Sequence, residues 1–504
     1  MPKNLVHFGF NYPGMFGLNT QQDDEALDPR WATTATNMVF DNNSRLAARK
    51  GTKQVNATVV TNTPTIKAMH EYIDGNGNKL IIFAADNKIY KLVGDTATDI
   101  SGTITTPTAD NWQFKNFNSW CVGFQLGHDP VVITAVGNNF ADSGGTQYQG
   151  TMVESAGGRL WTETGNTLYY SDLLINNFTG GSSGNFDLAS YWQGGMDEAV
   201  AITEFNGYLV VFGKNNIIIY SAAASTATLV ENISGIGCIA RDSIQQIGND
   251  VIFLSTKGLM ALSRVIQEKS TPERDISKHV RDYLLGFVGA ADGPNIKSTY
   301  NKKEGFYLLS MPTSGITFHF NVAQAMQDGS FRATTWQTHY NSFLTAQDDT
   351  LYFGNDDGFI TEYRGYLDGV TSGGTGGAGY TVEYLGTWNE FNQEAANLEK
   401  LPKRASLQLD GGFGTLITFK WLFDFDESTA LSKTLTLADG SWDEFGVGEF
   451  AESEFGTGIF NRQVRVPMRG SGRVIKTGVV FTTTGSEVGI QRIDVQAKLG
   501  KLRL

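Results

Sequence analysis

Residues 201–221 read AITEFNGYLVVFGKNNIIIYS. Two apolar runs, 208–212 and 217–220, are bounded by Asn-Gly and Lys-Asn-Asn, residues that tolerate the positive φ of tight turns. The runs are too short for helices and rich in β-branched and aromatic side chains, so they read as paired strands. Neither run alternates apolar with polar residues, so both faces of this hairpin must be buried.

The same phrase recurs along the chain. It reads IDGNGNKLIIFAADNKIYKLV at 73–93, VESAGGRLWTETGNTLYYSDLL at 153–174, DSIQQIGNDVIFLSTKGLMALSRV at 242–265 and FLTAQDDTLYFGNDDGFITEY at 343–363. Weaker copies are FNSWCVGFQLGHDPVVIT at 117–134 and KKEGFYLLSMPTSGITFHF at 302–320. Aligned on Leu80, Val122, Leu160, Leu209, Val251, Tyr307 and Leu351, the copies are 42, 38, 49, 42, 56 and 44 residues apart. A drifting period of about 40–50 residues in hairpin-rich sequence is the mark of propeller blades, whose radial stacking buries both sheet faces. The expected fold is all-β: a β-propeller of six or seven blades with an additional C-terminal β-sandwich or platform region. A pair of β-sandwiches is the plainer alternative.

Composition agrees. Gly supplies 58 of 504 residues, aromatics 12% and charged residues only 18%, which suits many short strands and tight turns and excludes a disordered chain. No apolar stretch approaches the 18 or so residues of a membrane span, and residues 1–24 lack the apolar core of a secretory signal. Cys121 and Cys238 are too few for a disulfide framework and read as buried thiols. The net charge of −13 argues against a protein that wraps nucleic acid by neutralising phosphate.

The repeats divide the chain. Residues 1–60 read as an N-terminal arm and first strands, 61–370 as the propeller, TSGGTGGAGY at 371–380 as a flexible Gly-rich linker, and 381–504 as a C-terminal β platform for oligomerisation. Within the propeller, 273–287 is the best helix candidate, with Ile276, Val280, Tyr283 and Leu284 on one face.

No catalytic, cofactor or metal set emerges. Gly374, Gly376 and Gly379 match a dinucleotide fingerprint but precede a strand, and Gly446, Gly448 and Ala451 lie among carboxylates that would repel a pyrophosphate. Asp74, Asn76 and Asn78 begin like a calcium loop, but Lys79 and Ala85 stand where Gly and Glu are required, so a hairpin turn is expected. Asp424 and Asp426, two apart on an expected strand, would face one side and could hold a cation or act as an acid–base pair, although a solvated sheet face is the plainer reading. Six scattered histidines show no metal-ligand spacing. One asymmetry stands out: 441–461 holds Asp443, Glu444, Glu449, Glu452 and Glu454 with no Lys or Arg, and 462–504 holds nine Lys and Arg, Arg465, Arg469 and Arg473 among them, against two acids. These eight residues are candidate subunit contacts, where complementary charge sets register; pairing within one domain is the alternative.

Particular phrases carry a resemblance. GLNTQQDDEALDPRWATTATNMVFDNNSRLAARKGTKQV, FDLASYW followed by AVAITEFNGYLVVFGKNNIIIYS, GCIARDSIQQIGNDVIFLSTKGLMAL and the closing RVIKTGVVFTTTGSEVGIQRIDVQAKLGK resemble, in order, the tail nozzle (tubular, packaged-DNA stabilisation type) proteins of short-tailed bacteriophages. The resemblance implies a propeller with an added platform of sheets and a structural virion role. It implies a homo-oligomer, a hexameric ring, below the head-to-tail adaptor protein, and tail fibre or spike proteins as neighbours. Phage DNA would pass transiently through the ring, with no cofactor, no catalytic residue and no membrane span. It implies assembly in the host cytoplasm and residence in the virion tail. A net charge of −13 per copy suits a conduit that must not grip DNA, the repulsion being screened beyond about 8 Å. Two other classes stay open: a phage-associated propeller glycan hydrolase or lyase with blade-centre carboxylates, and a glycan-binding adhesin. The positions before each first apolar run, taken as blade-centre positions, are Lys79, Arg159, Tyr208, Asp250 and Thr350, and offer few carboxylates.

Overall fold

In the computed structural model, residues 5–502 are described apart from 105–110, 144–147, 193–195, 222–227, 270–274, 290–292, 391–397, 413 and 438–460. Seven antiparallel blades surround one axis. Their inner strands are Ala68–Ile73, Gln113–Phe117, Val153–Ala156, Ala199–Phe205, Gln245–Ile247, Lys297–Asn301 and Ser342–Thr345. Each touches the next, blades 4 and 5 through the turn Arg241–Ser243, and the seventh touches the first. All seven alignment residues fall on the second strand of a blade. Lys79, Arg159, Tyr208 and Asp250 begin those second strands and Thr350 precedes one, so they are not blade-centre residues; the strand before each forms the centre.

Each gap between blades has its own apolar core. On Asp250–Ser255, Val251 and Phe253 pack toward blade 4 while Ile252 and Leu254 pack toward blade 6. On Asn216–Ser221, Ile217 and Ile219 face blade 5 while Ile218 and Tyr220 face blade 3. The period-2 pleat sends alternate side chains to opposite faces, so a strand with two buried faces needs an unbroken apolar run. At about 1.5–3 kcal/mol for each buried large apolar side chain, these gaps are the main source of propeller stability.

The ring is closed from the N-terminal side. Thr52–Gln54 pairs with Ile360–Tyr363 as the outermost strand of blade 7, so the arm feeds the propeller as expected. Blade 5 has three strands followed by the helix Leu262–Glu268, which the sequence reading did not anticipate; its Leu262 and Val265 enter the core between blades 4 and 5. The helix expected over 273–287 is only Arg281–Gly286, with 270–274 outside the described residues. Ile276, Val280 and Leu284 are buried as expected, but Tyr283 is 39% exposed.

The platform is a sandwich made by both ends of the chain, not by 381–504 alone. One sheet runs Asn461–Pro467, Leu398–Gly411, Val488–Leu502, Leu46–Ala48 and Met38–Phe40, with Leu5–Asn11 also paired to Val488–Leu502. The other continues blade 6: its outer strand Arg332–Trp336 pairs with Thr34–Thr36, followed by Thr381–Leu385, Ile475–Thr482, Leu416–Phe423 and Asp426–Thr436. Val382, Phe419, Trp421 and Phe481 from this sheet meet Leu407, Leu409, Ile490 and Ile493 from the first. Propeller and platform therefore share one nine-stranded sheet.

Where the chain enters and leaves the propeller it is clamped. The fully buried Arg49 donates two hydrogen bonds to the Asp368 carboxylate, at 2.9 and 2.6 Å, and its guanidinium lies 4.0 Å from the Tyr380 ring centre. Gly51 is required here, since a Cβ would sit 2.0 Å from the Leu367 carbonyl oxygen. The Gly-rich 371–380 is not a loose linker. Asp368 and Ala378 exchange backbone hydrogen bonds of 2.8 Å, Thr371 and Thr375 close a tight turn in which Gly374 supplies a φ of 81°, and Gly376 and Gly377, at 72° and 95°, lead out of it.

Candidate functional site: the axial mouth of the propeller

The entry ends of the inner strands converge on a cavity of about 220 Å³ to which all seven blades contribute. The turn Arg241–Ser243 sets two charged side chains at its wall. Arg241 donates to Asp242 through Nε (2.8 Å) and Nη2 (2.9 Å), to the Thr151 carbonyl through Nη1 (2.5 Å) and to Asn111 Oδ1 through Nη2 (3.1 Å). Lys297 Nζ donates to Asp242 Oδ2 and Asn111 Oδ1, both at 2.5 Å. Ser298 Oγ donates to the Asp242 carbonyl, and Lys115 pairs with Glu154 at 2.5 Å. One network thus ties blades 2, 3, 5 and 6 around the axis.

Burial alone would raise the Asp242 carboxyl, but Arg241 and Lys297 outweigh it and hold the group well below the usual carboxylate range. Burial, reinforced by Arg241, pulls Lys297 below the usual lysine value, with Asp242 opposing. Lys67, Lys115, Arg241 and Lys297 face Glu154 and Asp242, so the mouth is net positive in a chain of net charge −13. The buried Trp112 at its wall has an indole N–H with no hydrogen-bond partner among the described residues. This arrangement holds charge in place. A glycosidic general acid needs a raised carboxyl, and Asp242 is displaced the other way. Glu163 is carried to about 7, raised by burial and by Glu198 against a Thr151 hydroxyl bond; it stands on the second strand of blade 3, outside this cavity. A volume of 220 Å³ lies below the roughly 300–1,000 Å³ of drug-sized pockets.

The residues singled out in the sequence lie elsewhere. Asp443, Glu444, Glu449, Glu452 and Glu454 fall outside the described residues, as do Gly446, Gly448 and Ala451. Arg465, Arg469 and Arg473 are exposed on the platform. Asp424 and Asp426 do not share one face of a strand. Asp424 and Phe425, at φ 49° and 63°, form the tight turn between two strands. The Asp424 carboxylate accepts from the backbone N–H of Arg473 (2.6 Å), and that of Asp426 from Ser428 and Thr429, bonds that lower Asp426 to about 2. Asp74 is a turn residue as expected, accepting from Asn76 and Asn78. Cys121 and Cys238 are both buried and unpaired, and burial raises Cys238 to about 11. Among the described residues, no three His, Cys, Asp or Glu side chains gather as a metal site, and no helix is long and apolar enough to cross a membrane. The mouth escaped the sequence reading because Asn111, Asp242 and Lys297 are far apart in the chain; the ARDS phrase at 240–243 is its only local trace.

No protein-family model matches the chain, and no curated protein matches its sequence. Solved structures resemble it in shape. The likeness to BamB from Moraxella catarrhalis has a TM-score of 0.36 at 11% identity, covering 63% of this chain and 90% of that one. A streptogramin B lyase gives 0.38 at 13%, covering 62% and 97%. The Pan2 WD40 domain of Neurospora crassa gives 0.39 at 8%, covering 62% and 96%. At such scores and identities they carry nothing about activity.

Proposed function

We propose that this chain is a non-enzymatic structural subunit of a short phage tail. It is a nozzle protein that forms a ring, a hexamer in the group it resembles, below the head-to-tail adaptor and beside fibre or spike proteins. It lines part of the DNA ejection conduit and resides in the virion tail after assembly in the host cytoplasm. The observation that carries this reading is the platform. Both of its sheets end in long strands, Asp426–Thr436 and Asn461–Pro467, that pair on one side only among the described residues. Such edges are templates for pairing with another chain.

Light scattering and negative-stain microscopy of the purified protein test it. A ring of several copies is expected; a monomer at every concentration and salt overturns it. Anisotropy titration with duplex DNA should show binding no tighter than about 10⁻⁴–10⁻⁶ M at physiological salt, and nanomolar, sequence-dependent binding would overturn the conduit role. Release of oligosaccharide from host polysaccharide that survives stringent purification would overturn the non-enzymatic reading.

A further inference from the structure

A second cavity, of about 550 Å³, lies where the N-terminal segment crosses the loop 322–331 of blade 6. Its apolar walls include Met15, Phe16, Trp31 and Met326. Its size falls within the roughly 300–1,000 Å³ of small-molecule sites. Arg332, only 6% exposed, reaches it from the outer strand of blade 6.

Of the buried arginines, Arg45 pairs with Asp41 and Asp410 and Arg49 with Asp368, whereas Arg159, far from this cavity, donates only to the Ser171 and Ser182 carbonyls. Arg332 forms no ion pair among the described residues. Its Nη atoms donate only to neutral acceptors: the Met15 carbonyl (3.4 Å), Asn321 Oδ1 (3.1 Å) and Gln324 Oε1 (3.3 Å). Among the described residues its Nε has no hydrogen-bond partner, and its guanidinium carbon lies 4.4 Å from the Phe40 ring centre. A buried guanidinium without a counter-charge is costly, and such groups are normally paired. The remaining charges at the cavity are already matched: Arg30 donates twice to Asp28, and Asp328 pairs with Lys278 and His279 while accepting from Ser330. Arg30 also lies 4.4 Å from the Phe16 ring centre, so cation and aromatic wall adjoin.

We propose that this cavity binds an organic anion, a carboxylate or phosphate monoester on an aromatic or apolar body, whose charge completes Arg332 while its body fills the space between Phe16, Trp31 and Met326. A guanidinium fork suits either group. The ligand can be a free small molecule or a polypeptide carrying acids beside aromatics.

The test is calorimetric titration of the full-length protein with phenylacetate, phenyl phosphate and a synthetic acidic–aromatic peptide, SWDEFGVGEFAESEF. Benzyl alcohol serves as the uncharged control. At least one anionic probe should bind, benzyl alcohol at least about tenfold more weakly, and Arg332→Met should lose about tenfold or more of the affinity while Arg332→Lys keeps part of it. The tightest probe among the three identifies the source. A role in packing alone predicts no binding to begin with, so failure of all three probes on the wild-type protein overturns the proposal, as does binding unchanged in Arg332→Met. Should Arg332→Met not fold, Arg30→Ala, at a half-exposed position, is expected to weaken the same probe, and unchanged affinity there counts against the site.

Discussion

The propeller and the platform are built from the same kind of strand, yet they are assembled differently. In blades 1 to 5 each sheet pairs only strands that are neighbours in sequence, while blade 6 continues into Thr34–Thr36 and blade 7 takes Thr52–Gln54. In the platform Leu5 lies opposite Lys498, Thr36 opposite Glu383, and Gly489 opposite Ala47. Local pairing makes the propeller a repetition of one solved problem. The platform cannot form until both ends of the chain meet, so its closure entropy is recovered late. The comparison teaches that the junction, not either region, should decide how cooperative the molecule is.

Arg49 is the place to break that comparison. Arg49→Ala removes one partner of a buried pair and leaves Asp368 uncompensated, with an expected loss of about 3–5 kcal/mol. If the two regions unfold together, urea denaturation followed by tryptophan fluorescence should show a single transition shifted to lower denaturant. Two separated transitions in the variant would mean that the clamp is what couples them.

Within the propeller, Leu254→Ala opens a cavity between blades 5 and 6 and should cost about 2–5 kcal/mol. Leu435→Ala on the platform strand Asp426–Thr436 should cost well under half as much, because Leu435 is only half-buried. Equal losses measured by denaturation would show the platform edge to be as tightly packed as a blade gap.

What could be read from the sequence follows the same division. The run at 251–254 announces its two buried faces by composition alone, and the seven repeats place every second strand. The platform strands at 416–423, 475–482 and 488–502 were legible as strands, but nothing in them records that 5–48 supplies their neighbours. The charged sites were invisible for a related reason. Asp242 meets Lys297, and Arg241 meets Asn111, only after the ring has closed, and Arg332, in FRATTW, looks like an ordinary exposed position of an alternating strand although all five residues of Arg332–Trp336 are buried. The Asp424–Asp426 pair misled because a two-residue turn with positive φ was read as continuing strand.

The axial network offers a smaller test. Asp242→Asn keeps the shape but leaves Arg241 and Lys297 without their counter-charge, at an expected cost of about 2 kcal/mol, less than for Arg49 because the Asp242 side chain is 20% exposed. The folded Asp242 carboxyl lies below its unfolded value of about 3.9, so its contribution is fully present above that value and disappears as pH falls through the folded one. Denaturation midpoints of wild type and variant should therefore differ near neutrality, begin to converge below about pH 4 and meet only as pH falls through the folded value. A gap that persists in acid would assign the loss to hydrogen-bond geometry instead of charge.

The smallest effect on the fold is expected at the platform surface, where the largest effect on assembly is expected. Arg465, Arg469 and Arg473 are exposed, and the platform uses the last two through their backbones: the Arg469 carbonyl accepts from the Trp421 indole, and the Arg473 carbonyl accepts from Lys400. Reversing all three side chains to Glu should change folding stability by no more than about 0.5 kcal/mol each, the usual range for surface positions. If the carboxylates of 441–461 in a neighbouring copy are their partners, the same triple variant brings like charges together and should weaken association, most strongly at low salt where screening is least. Sedimentation of wild type and variant over a salt series separates the possibilities. Weakened association that recovers as salt rises supports a contact between copies made by these charges. Assembly unchanged at every salt would show that the charges pair within one chain or do not act, and the open strand edges alone would then have to hold the ring.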